Sequence, residues 1–407
     1  MSERSVPVLI VGGGIGGLAA ALALANRGVG VHLIEKSPEF GELGAGLQLA
    51  PNASRALDAL GVLRQIEGYA VFPQRMLWMD ALTGEQVTAL DLGSPFVERY
   101  DYRYIVMHRS DLLNVLLAAC RADDKIALET SKDVTGIEDR GAFARVRCGD
   151  GSVYDAEMVI AADGLWSPVR AQLVGDGEPL CSEYVAYRGA IPMGEMSLHA
   201  GLDNVMLWTG PNMHLVQYPV RRGELYNQVA VFRSDRYDPH SDDWGTPDEL
   251  DAHFGAGTDA VRAALTKFRR NRRWPMYDRL PLARWSFNRV TLLGDAAHPM
   301  LQYLAQGAAQ ALEDAVALGE AVAAHPRDVA AAFAAYEAER IPRTARVQTT
   351  ARAWGDYWHL PVERARARNA SLAARDSRDY RETDWLYAYG ALPHAAAYRS
   401  AERIEDR

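Results

Sequence analysis

Residues 6–36 carry the pattern that most constrains the fold of this chain. A short apolar run at 8–11 leads into a glycine-rich stretch at 12–17, a stretch rich in alanine and leucine at 18–27, and a second apolar run at 31–34. Short apolar runs bounded by glycine are typical of buried strands, whereas the stretch between them has the length of a helix. The order predicts a strand–turn–helix–strand unit that opens a parallel sheet.

The glycine turn, residues 12–17, follows the spacing Gly-x-Gly-x-x-Gly, with Gly12, Gly14 and Gly17 at the fixed positions. Glycine allows a tight turn and lets a pyrophosphate approach the backbone, and Glu35 ends the second strand where a ribose hydroxyl would lie. Such a motif is weak evidence alone, but here the strand, the helix and the acidic residue are all in place. It predicts a site for an adenine dinucleotide and does not decide between NAD and FAD.

Two more apolar runs end in glycine and aspartate, at 158–164 and at 290–295. They lie far from the first unit, so we expect one nucleotide-binding domain whose elements are scattered along the chain. Residues 204–233 alternate in polarity around two turns, which is typical of an antiparallel meander. Another hairpin is predicted around Thr83 and Gly84.

The last apolar run opens the segment 294–310, which leads into an alanine-rich helix predicted from about 307 to 324. Asp295, at the strand end, can hold a sugar-like hydroxyl. Gly307, at the helix start, lets a ligand approach backbone amides with partial positive charge, which suits a flavin ring that gains negative charge on reduction. Gln302 lies between them and is a candidate for chemistry.

Composition excludes several classes of function. The 407 residues carry a formal net charge of −9, which argues against nucleic acid as a partner because phosphate backbones favour basic surfaces. No apolar stretch has the length of a secretory or membrane-spanning segment, so we expect a cytoplasmic protein without an integral membrane segment. No group of His, Cys and Asp has the spacing of metal ligands, so we expect no metal site. The arginines of 364–368 are interpreted as solvated.

Two segments resemble the fingerprints of a known family: residues 163–170 (the DG motif) and residues 294–299 (the GD motif). They resemble those of the single-component, FAD-dependent aromatic hydroxylases, the group A flavoprotein monooxygenases. Residues 108–112 resemble the family's helix start, whose arginine, here Arg109, reaches the FAD pyrophosphate. The resemblance spans nearly the whole chain. It implies an α/β fold, with a Rossmann-like FAD-binding domain of the glutathione-reductase type and an inserted antiparallel-sheet substrate domain, as in p-hydroxybenzoate hydroxylase.

The resemblance also predicts the domains and ligands. The FAD-binding domain takes 1–72, 101–181 and 281–360, the substrate domain 73–100 and 182–280, and a C-terminal extension 361–407. FAD is expected to be tightly bound, with NADH or NADPH and O2 as co-substrates and a small aromatic molecule as substrate. The residues expected to bind FAD are Gly12, Gly14, Gly17, Glu35, Arg109, Asp163, Asp295, Gly307 and Ala308. Aromatic residues near the end of the chain fit a homodimer surface, and packing within one chain fits them nearly as well; they are Trp354, Trp358, Trp385, Tyr387 and Tyr389.

Segments outside these fingerprints resemble the 3-hydroxybenzoate 6-hydroxylases within the family. They are residues 213–219, 274–279, 301–304, 354–355 with 358–360, and 383–386. This resemblance implies para-hydroxylation of a phenolic benzoate, most directly 3-hydroxybenzoate to 2,5-dihydroxybenzoate (gentisate), through a flavin hydroperoxide. It implies catalytic roles for His214 and Gln302, and substrate contacts from Tyr104, Tyr218 and Gln302.

Alternatives stay open for these residues and for the function. On a strand, His214, Val216 and Tyr218 share one face, where the residues alone favour a packed sheet histidine. Both tyrosines fit an aromatic core equally well. The rival functions are a decarboxylating salicylate 1-hydroxylase, a hydroxylase of a larger aromatic compound in biosynthesis, and a non-catalytic binding protein on the same fold.

Overall fold

The computed structural model of the chain describes residues 3–41, 45–196, 203–241 and 243–390. Parts of each predicted domain therefore lie outside the described ranges. They are residues 1–2 and 42–44 of the FAD-binding domain, 197–202 and 242 of the substrate domain, and 391–407 of the C-terminal extension.

The strands, numbered in chain order, are β1 (Glu3–Val11), β2 (Val31–Ile34), β3 (Gly46–Leu49), β4 (Arg75–Asp80), β5 (Gln86–Asp91), β6 (Ile105–His108), β7 (Ile126–Glu129), β8 (Val134–Asp139), β9 (Ala144–Cys148), β10 (Val153–Ala161), β11 (Leu180–Pro192), β12 (Val205–Gly210), β13 (Met213–Val220), β14 (Leu225–Arg233), β15 (Trp274–Asp278), β16 (Ser286–Phe287) and β17 (Val290–Leu292).

The α-helices are α1 (Ile15–Ala25), α2 (Pro51–Ala59), α3 (Leu63–Glu67), α4 (Ser94–Tyr100), α5 (Arg109–Ala122), α6 (Pro168–Leu173), α7 (Pro247–Phe254), α8 (Asp259–Leu265), α9 (Gly307–Ala324), α10 (Val329–Trp358), α11 (Val362–Ala373) and α12 (Arg381–Tyr387). Within the described ranges, no helix combines the length and the apolar character needed to cross a membrane.

The larger sheet has a parallel centre with the strand order β17–β10–β1–β2–β7. Helix α1 joins β1 to β2, so the predicted strand–turn–helix–strand unit is confirmed. Leu9, Ile10 and Ile160 in the central strands have no exposed surface, as expected for a parallel sheet covered on both faces. Antiparallel strands β16 and β9 extend this centre, and β8 pairs with β9.

Three distant segments meet at one edge of this sheet. Val11 at the end of β1 pairs with Ala161 at the end of β10, and Ala161 pairs with Leu292 at the end of β17. Parallel strands end at the same edge, so the glycine turn, the DG motif and the GD motif begin side by side. The predicted scattering of one nucleotide-binding unit along the chain is confirmed.

A second sheet has the order β15–β11–β14–β13–β12–β4–β5. The predicted meander and hairpin are confirmed as β12 to β14 and as β4–β5. The expectation of an antiparallel sheet needs one correction, because β4 pairs with β12 in parallel. This pair joins strands far apart in the chain, so no hairpin imposes an antiparallel direction on it. The division of the chain into two domains stays a prediction.

The second sheet has an outer face and an inner face. On β13, Met213 and Leu215 pack with Leu250 of α7 on the outer face. Val216 points to the inner face, where Tyr303 and Trp358 pack against the sheet. The inner face therefore looks toward the loop that follows the GD motif and toward the end of α10.

A buried ion network between α9 and α10 stabilises the region behind the GD motif. Its members are Glu313, Asp314, Arg340 and Arg343. Arg340 donates to Asp314 through Nε at 2.8 Å and to Glu313 through Nη1 at 2.6 Å. Asp314 also accepts from the Gly294 amide at 3.0 Å and from His298 Nε2 at 2.5 Å. The GD motif is thus held to the helix behind it.

Replacing Arg340 with methionine should lower the free energy of unfolding by about 3–5 kcal/mol, because two buried carboxylates would lose their shared cation. Urea-induced unfolding followed by tryptophan fluorescence measures the change. Arg270→Met is the matched control, since the side chains of the Arg270–Asp251 pair are 38% and 51% exposed and such pairs contribute about 1 kcal/mol or less. Equal effects of the two substitutions would contradict a special role for the buried network.

The free energy of unfolding of Arg340→Met should fall less than that of the parent protein when the pH is lowered into the acid range. Burial raises the pKa of Asp314, but His298 and Arg340 lower it by more, and Arg343 and Arg340 likewise outweigh burial at Glu313, so both pKa values lie below their ordinary values. Such carboxylates stabilise the fold above their unfolded pKa of about 4, and the contribution is lost as the pH falls through the folded value. Without Arg340 the folded values rise toward the unfolded ones. An unchanged acid dependence in Arg340→Met would argue against this account.

Candidate active site

A cleft runs along the edge where the parallel strands end, between the glycine turn, the DG motif and the GD motif. Eight of the nine residues predicted to bind FAD line it, namely Gly12, Gly14, Glu35, Arg109, Asp163, Asp295, Gly307 and Ala308. The sequence interpretation missed Lys36 and Lys132, which also line the cleft. Both follow strands of the parallel sheet closely, and ligand sites occur at such strand ends.

Gly17 lies outside this lining. A Cβ atom on Gly17 would stand 1.9 Å from the Gly12 carbonyl oxygen, so the missing side chain is what lets α1 pack against the turn. The structure therefore shows a packing role for Gly17, and its predicted contact with the cofactor stays a prediction.

Glu35 is fixed beside the glycine turn by backbone amides. Its carboxylate accepts from the Gly13 amide at 2.7 Å and from the Ser37 amide at 2.8 Å. Each carboxylate oxygen has a second lone pair. Glu35 can therefore still accept from a ribose hydroxyl in the cleft that it lines.

Arg170, the last residue of the DG motif, holds the GD motif in place. Its side chain is fully buried, and Nη1 donates to the Ala296 and Ala297 carbonyls at 3.0 and 2.9 Å. The rest of the guanidinium bonds to Asp176. Two motifs far apart in sequence are thus locked into one rigid wall of the cleft.

Two acidic residues face the cleft from these motifs. Asp163 has one carboxylate oxygen, Oδ1, that is buried and finds no partner among the described residues, and burial raises the pKa of Asp163 against the Ser167 hydrogen bond that lowers it. Asp295 is exposed, and Oδ1 lies 3.9 Å from where a Cβ atom on Gly307 would stand. A buried, unpartnered carboxylate oxygen requires a donor such as a sugar or ribityl hydroxyl. These residues fit a flavin dinucleotide.

His214 projects from the inner face of the second sheet and is buried. Its Nδ1 lies 2.8 Å from Nε2 of His359, and the two ring centres are 5.0 Å apart with a tilt of 21° between the ring planes. Trp358 and Tyr303 pack against the His214 ring. Its other nitrogen, Nε2, is buried and has no partner among the described residues. Burial and then His359 lower the pKa of His214 far below the ordinary histidine value. The predicted site histidine is therefore neutral at pH 7.

His359 was missed as a site residue by the sequence interpretation. It follows α10, stacks on Tyr184 with ring centres 4.7 Å apart, and has a pKa lowered to about 3 by burial and by Arg368. The interpretation of Arg368 as solvated is wrong, because its side chain is buried and donates to the Tyr357 and Trp358 carbonyls. An arginine-rich stretch on a helix predicts solvent exposure, but this one covers the aromatic end of α10.

Gln302, the second predicted catalytic residue, is half-buried in the turn after the GD motif. Its Oε1 accepts from Arg188 Nη2 at 2.7 Å, and its neighbour Tyr303 contacts the His214 ring at 5.5 Å. The structure thus brings Gln302 to the same inner face as His214. Arg188 was also missed, although a single charged residue between Ala186 and Ala190 on one strand face is a usable signal.

Tyr104 and Tyr218 share one neighbour, Gln48. Tyr104 donates to its Oε1 at 2.8 Å, and a hydrogen bond from Gln48 also acts on Tyr218. The Tyr104 ring packs against Phe96 and Tyr387, and burial raises the pKa of both candidate tyrosines. Tyr104 thus takes part in an aromatic core, and the substrate contacts of both tyrosines stay predictions.

Comparison with known proteins agrees with this geometry. A family model described as FAD binding domain matches residues 5–351. The 3-hydroxybenzoate 6-hydroxylases of Polaromonas naphthalenivorans (strain CJ2) and Klebsiella oxytoca are 39% and 40% identical to the chain, covering 95% and 94% of it and 97% and 96% of their own lengths. The crystal structure of Klebsiella pneumoniae HpxO with FAD and uric acid has a TM-score of 0.83 at 26% identity, covering 94% of this chain and 96% of HpxO. The fold class and FAD as cofactor are confirmed.

Alanine at Gly14 and at Gly17 should separate cofactor binding from folding. A Cβ on Gly14 meets no atom within 4 Å and would enter the cleft, so Gly14→Ala should fold normally but lose FAD on desalting. Gly17→Ala should destabilise even the FAD-free protein by about 1–3 kcal/mol, because the new atom collides with backbone. Thermal unfolding of FAD-free protein and the flavin content after desalting measure the two effects.

Gly136→Ala is the control for this pair, since Gly136 also has open surroundings and lies outside the cleft. We expect it to keep both stability and flavin. Retention of FAD by Gly14→Ala at the level of the parent would contradict the proposed path of the cofactor along the glycine turn.

Proposed function

The chain belongs to the FAD-dependent monooxygenases that share this FAD binding domain, and on that premise we propose that it hydroxylates 3-hydroxybenzoate para to its hydroxyl, giving 2,5-dihydroxybenzoate (gentisate). NAD(P)H and O2 are the co-substrates. Two relatives named for this reaction cover nearly the whole chain and support the choice of substrate. The observation that carries the proposal is His214 Nε2, which is buried and unpartnered beside the loop that follows the GD motif.

The chemistry of a phenol explains why such a nitrogen matters. A free phenol ionises only near pH ~10, and the neutral form is a weak nucleophile. A base that accepts the phenol hydrogen pushes electron density to the ring carbons ortho and para to the oxygen. His214 is neutral because burial lowers its pKa, so it can accept a hydrogen bond without first losing a proton. Carbon 6 of 3-hydroxybenzoate is para to the hydroxyl.

His359 sets the tautomer of His214 in this proposal. One nitrogen of the 2.8 Å contact between the rings must donate, and only donation by His214 Nδ1–H leaves the lone pair of its Nε2 for the phenol. His359 then carries its own hydrogen on Nδ1, which is buried and lacks a partner among the described residues. His359 acts here as a positioning residue.

Gln302 is proposed to orient the reacting groups. When bound, FAD would carry electrons from NAD(P)H to O2, and one oxygen atom of that O2 would reach the ring while the other leaves as water. Arg188 occupies the Gln302 carbonyl, which leaves the two amide hydrogens for an oxygen of the substrate or cofactor. Tyr303 and Trp358 pack around His214 and keep water from that end of the site.

The proposal is tested with the purified, FAD-loaded protein, NADH or NADPH, and 2-, 3- and 4-hydroxybenzoate in separate reactions. We expect gentisate from 3-hydroxybenzoate, with little hydrogen peroxide. Carbon dioxide release from 2-hydroxybenzoate (salicylate) would point to the decarboxylating rival. No turnover of any monocyclic phenol would favour a larger aromatic substrate, and a protein that cannot be loaded with FAD would favour a binding function.

Replacing His214 with alanine should reduce product formation by about 10²–10⁴-fold while FAD and substrate still bind, because only proton acceptance is lost. NADH oxidation in the presence of substrate should continue and yield hydrogen peroxide. Chromatography of products and a peroxide assay measure the two pathways.

His253→Ala is the matched control, because His253 stacks on Phe232 of the outer face at 5.0 Å and faces away from the inner site. We expect it to keep coupled hydroxylation. Product formation in His214→Ala close to that of the parent would remove His214 from the mechanism.

A further inference from the structure

Arg188 lies in the middle of β11, on the inner face of the second sheet. Its Nη2 donates to Gln302, its guanidinium carbon lies 6.0 Å from the centre of the Trp274 ring, and its Nε is buried without a hydrogen-bond partner among the described residues. A cationic side chain with a free donor thus stands beside the candidate catalytic glutamine.

Arg188 is half-buried, and the fully buried arginines of the described chain are compensated. Arg340 and Arg343 bond to Glu313, and Arg170 bonds to Asp176. Arg368 has no such carboxylate but donates to two backbone carbonyls. Arg188 differs, because within the described ranges its one hydrogen-bond acceptor is a neutral amide.

An arginine in this position is energetically costly. Removing even part of a cation from water without an anionic partner carries a desolvation penalty. Burial lowers the pKa of Arg188, Tyr218 opposes this, and the positive charge of Arg109 adds to it. A bound anion removes the penalty, because it supplies the charge and the acceptor oxygens that the protein does not.

We propose that Arg188 binds the carboxylate of the aromatic substrate, so that the enzyme accepts phenols that carry a carboxylate and discriminates against their neutral analogues. The proposal rests on the proposed function and assigns a substrate-recognition residue within that same site. The free Nε and the adjacent Nη2 present the parallel donors of an arginine fork, which match the two oxygens of a carboxylate.

The register of the sheet places Arg188 suitably for a 3-hydroxybenzoate. His214 and Ala186 pair with the same residue, Val231, so Arg188 stands two strands across and two residues along from His214. This is about 10 Å across and about 7 Å along the sheet at the backbone. A ring held by its hydroxyl at His214 and by its carboxylate at Arg188 has carbon 6 next to the carboxylate-bearing carbon, and therefore at the end of the ring near Arg188 and its partner Gln302.

The test compares binding of 3-hydroxybenzoate with binding of 3-hydroxybenzamide, which has the same shape without the charge. Each is titrated into oxidised, FAD-loaded enzyme and followed by the change in flavin absorbance. We expect Arg188→Gln to weaken binding of the acid by about a hundredfold or more and binding of the amide by only a fewfold. Arg188→Lys should keep part of the preference for the acid, since it retains charge without the fork.

Arg272→Gln is the matched control, because Arg272 is exposed and lies over the same Trp274 ring at 5.2 Å. It should leave both dissociation constants unchanged. The proposal is overturned if Arg188→Gln weakens binding of the acid and binding of the amide equally. It is also overturned if Arg188→Gln shifts the flavin reduction potential while the enzyme still prefers the acid to the amide. The latter result would assign Arg188 to the cofactor.

Failure of this proposal can be told apart from failure of the proposed function. Gentisate formation with normal affinity for the acid in Arg188→Gln would remove Arg188 and leave the reaction standing. If the parent binds another hydroxybenzoate in preference to 3-hydroxybenzoate, the acid and amide of that ring are compared. Loss of the acid preference there in Arg188→Gln would support Arg188 and overturn only the identity of the substrate.

Discussion

The bonds that meet at Asp314 fix the geometry on which the cofactor cleft depends. One buried carboxylate accepts from the Gly294 amide, from His298 and from Arg340. Gly294 opens the GD motif, so this carboxylate sets where the turn leaves β17 and where the N-terminus of α9 lies. From the other side, Arg170 holds the carbonyls of the same turn. A turn tied on both sides keeps Asp295 and the amides of α9 in one fixed relation.

Stability alone does not account for a buried ion network of this kind. Taking charges out of water costs several kcal/mol for each ion, and apolar packing of similar volume is often as stable. The network instead fixes relative positions, because its hydrogen bonds are directional and form only in one arrangement of the turn and the two helices. We infer that it is kept for the position of the cleft walls, which a purely apolar contact between α9 and α10 would leave free to shift.

The sequence allowed the cofactor cleft to be predicted far better than the substrate side. Glycine spacing and acidic strand ends are local signals, and the parallel register then brings them together. The substrate side is built from pairs distant in sequence: His214 with His359 lies 145 residues apart, and Arg188 with Gln302 lies 114 apart. The sequence around either member of such a pair does not indicate which distant residue it will contact. Arg368 was misread for the same reason, since only the folded chain shows the aromatic end of α10 beneath it.

The carboxylate end of the proposed substrate meets a cation, Arg188, whereas the phenol end meets a neutral base, His214. Binding of the carboxylate therefore precedes proton acceptance from the phenol. His214 alone is a weak proton acceptor, because burial in apolar surroundings lowers its pKa. An anion placed nearby favours the charged form of a buried imidazole and raises its pKa. On the roles proposed here, the carboxylate is neutralised at Arg188 while the phenol oxygen approaches His214, so that negative charge developing on that oxygen is what strengthens the base. His214 then accepts hydrogen strongly only from a bound, correctly oriented phenol, and a neutral ring that lacks the carboxylate is not held in that orientation.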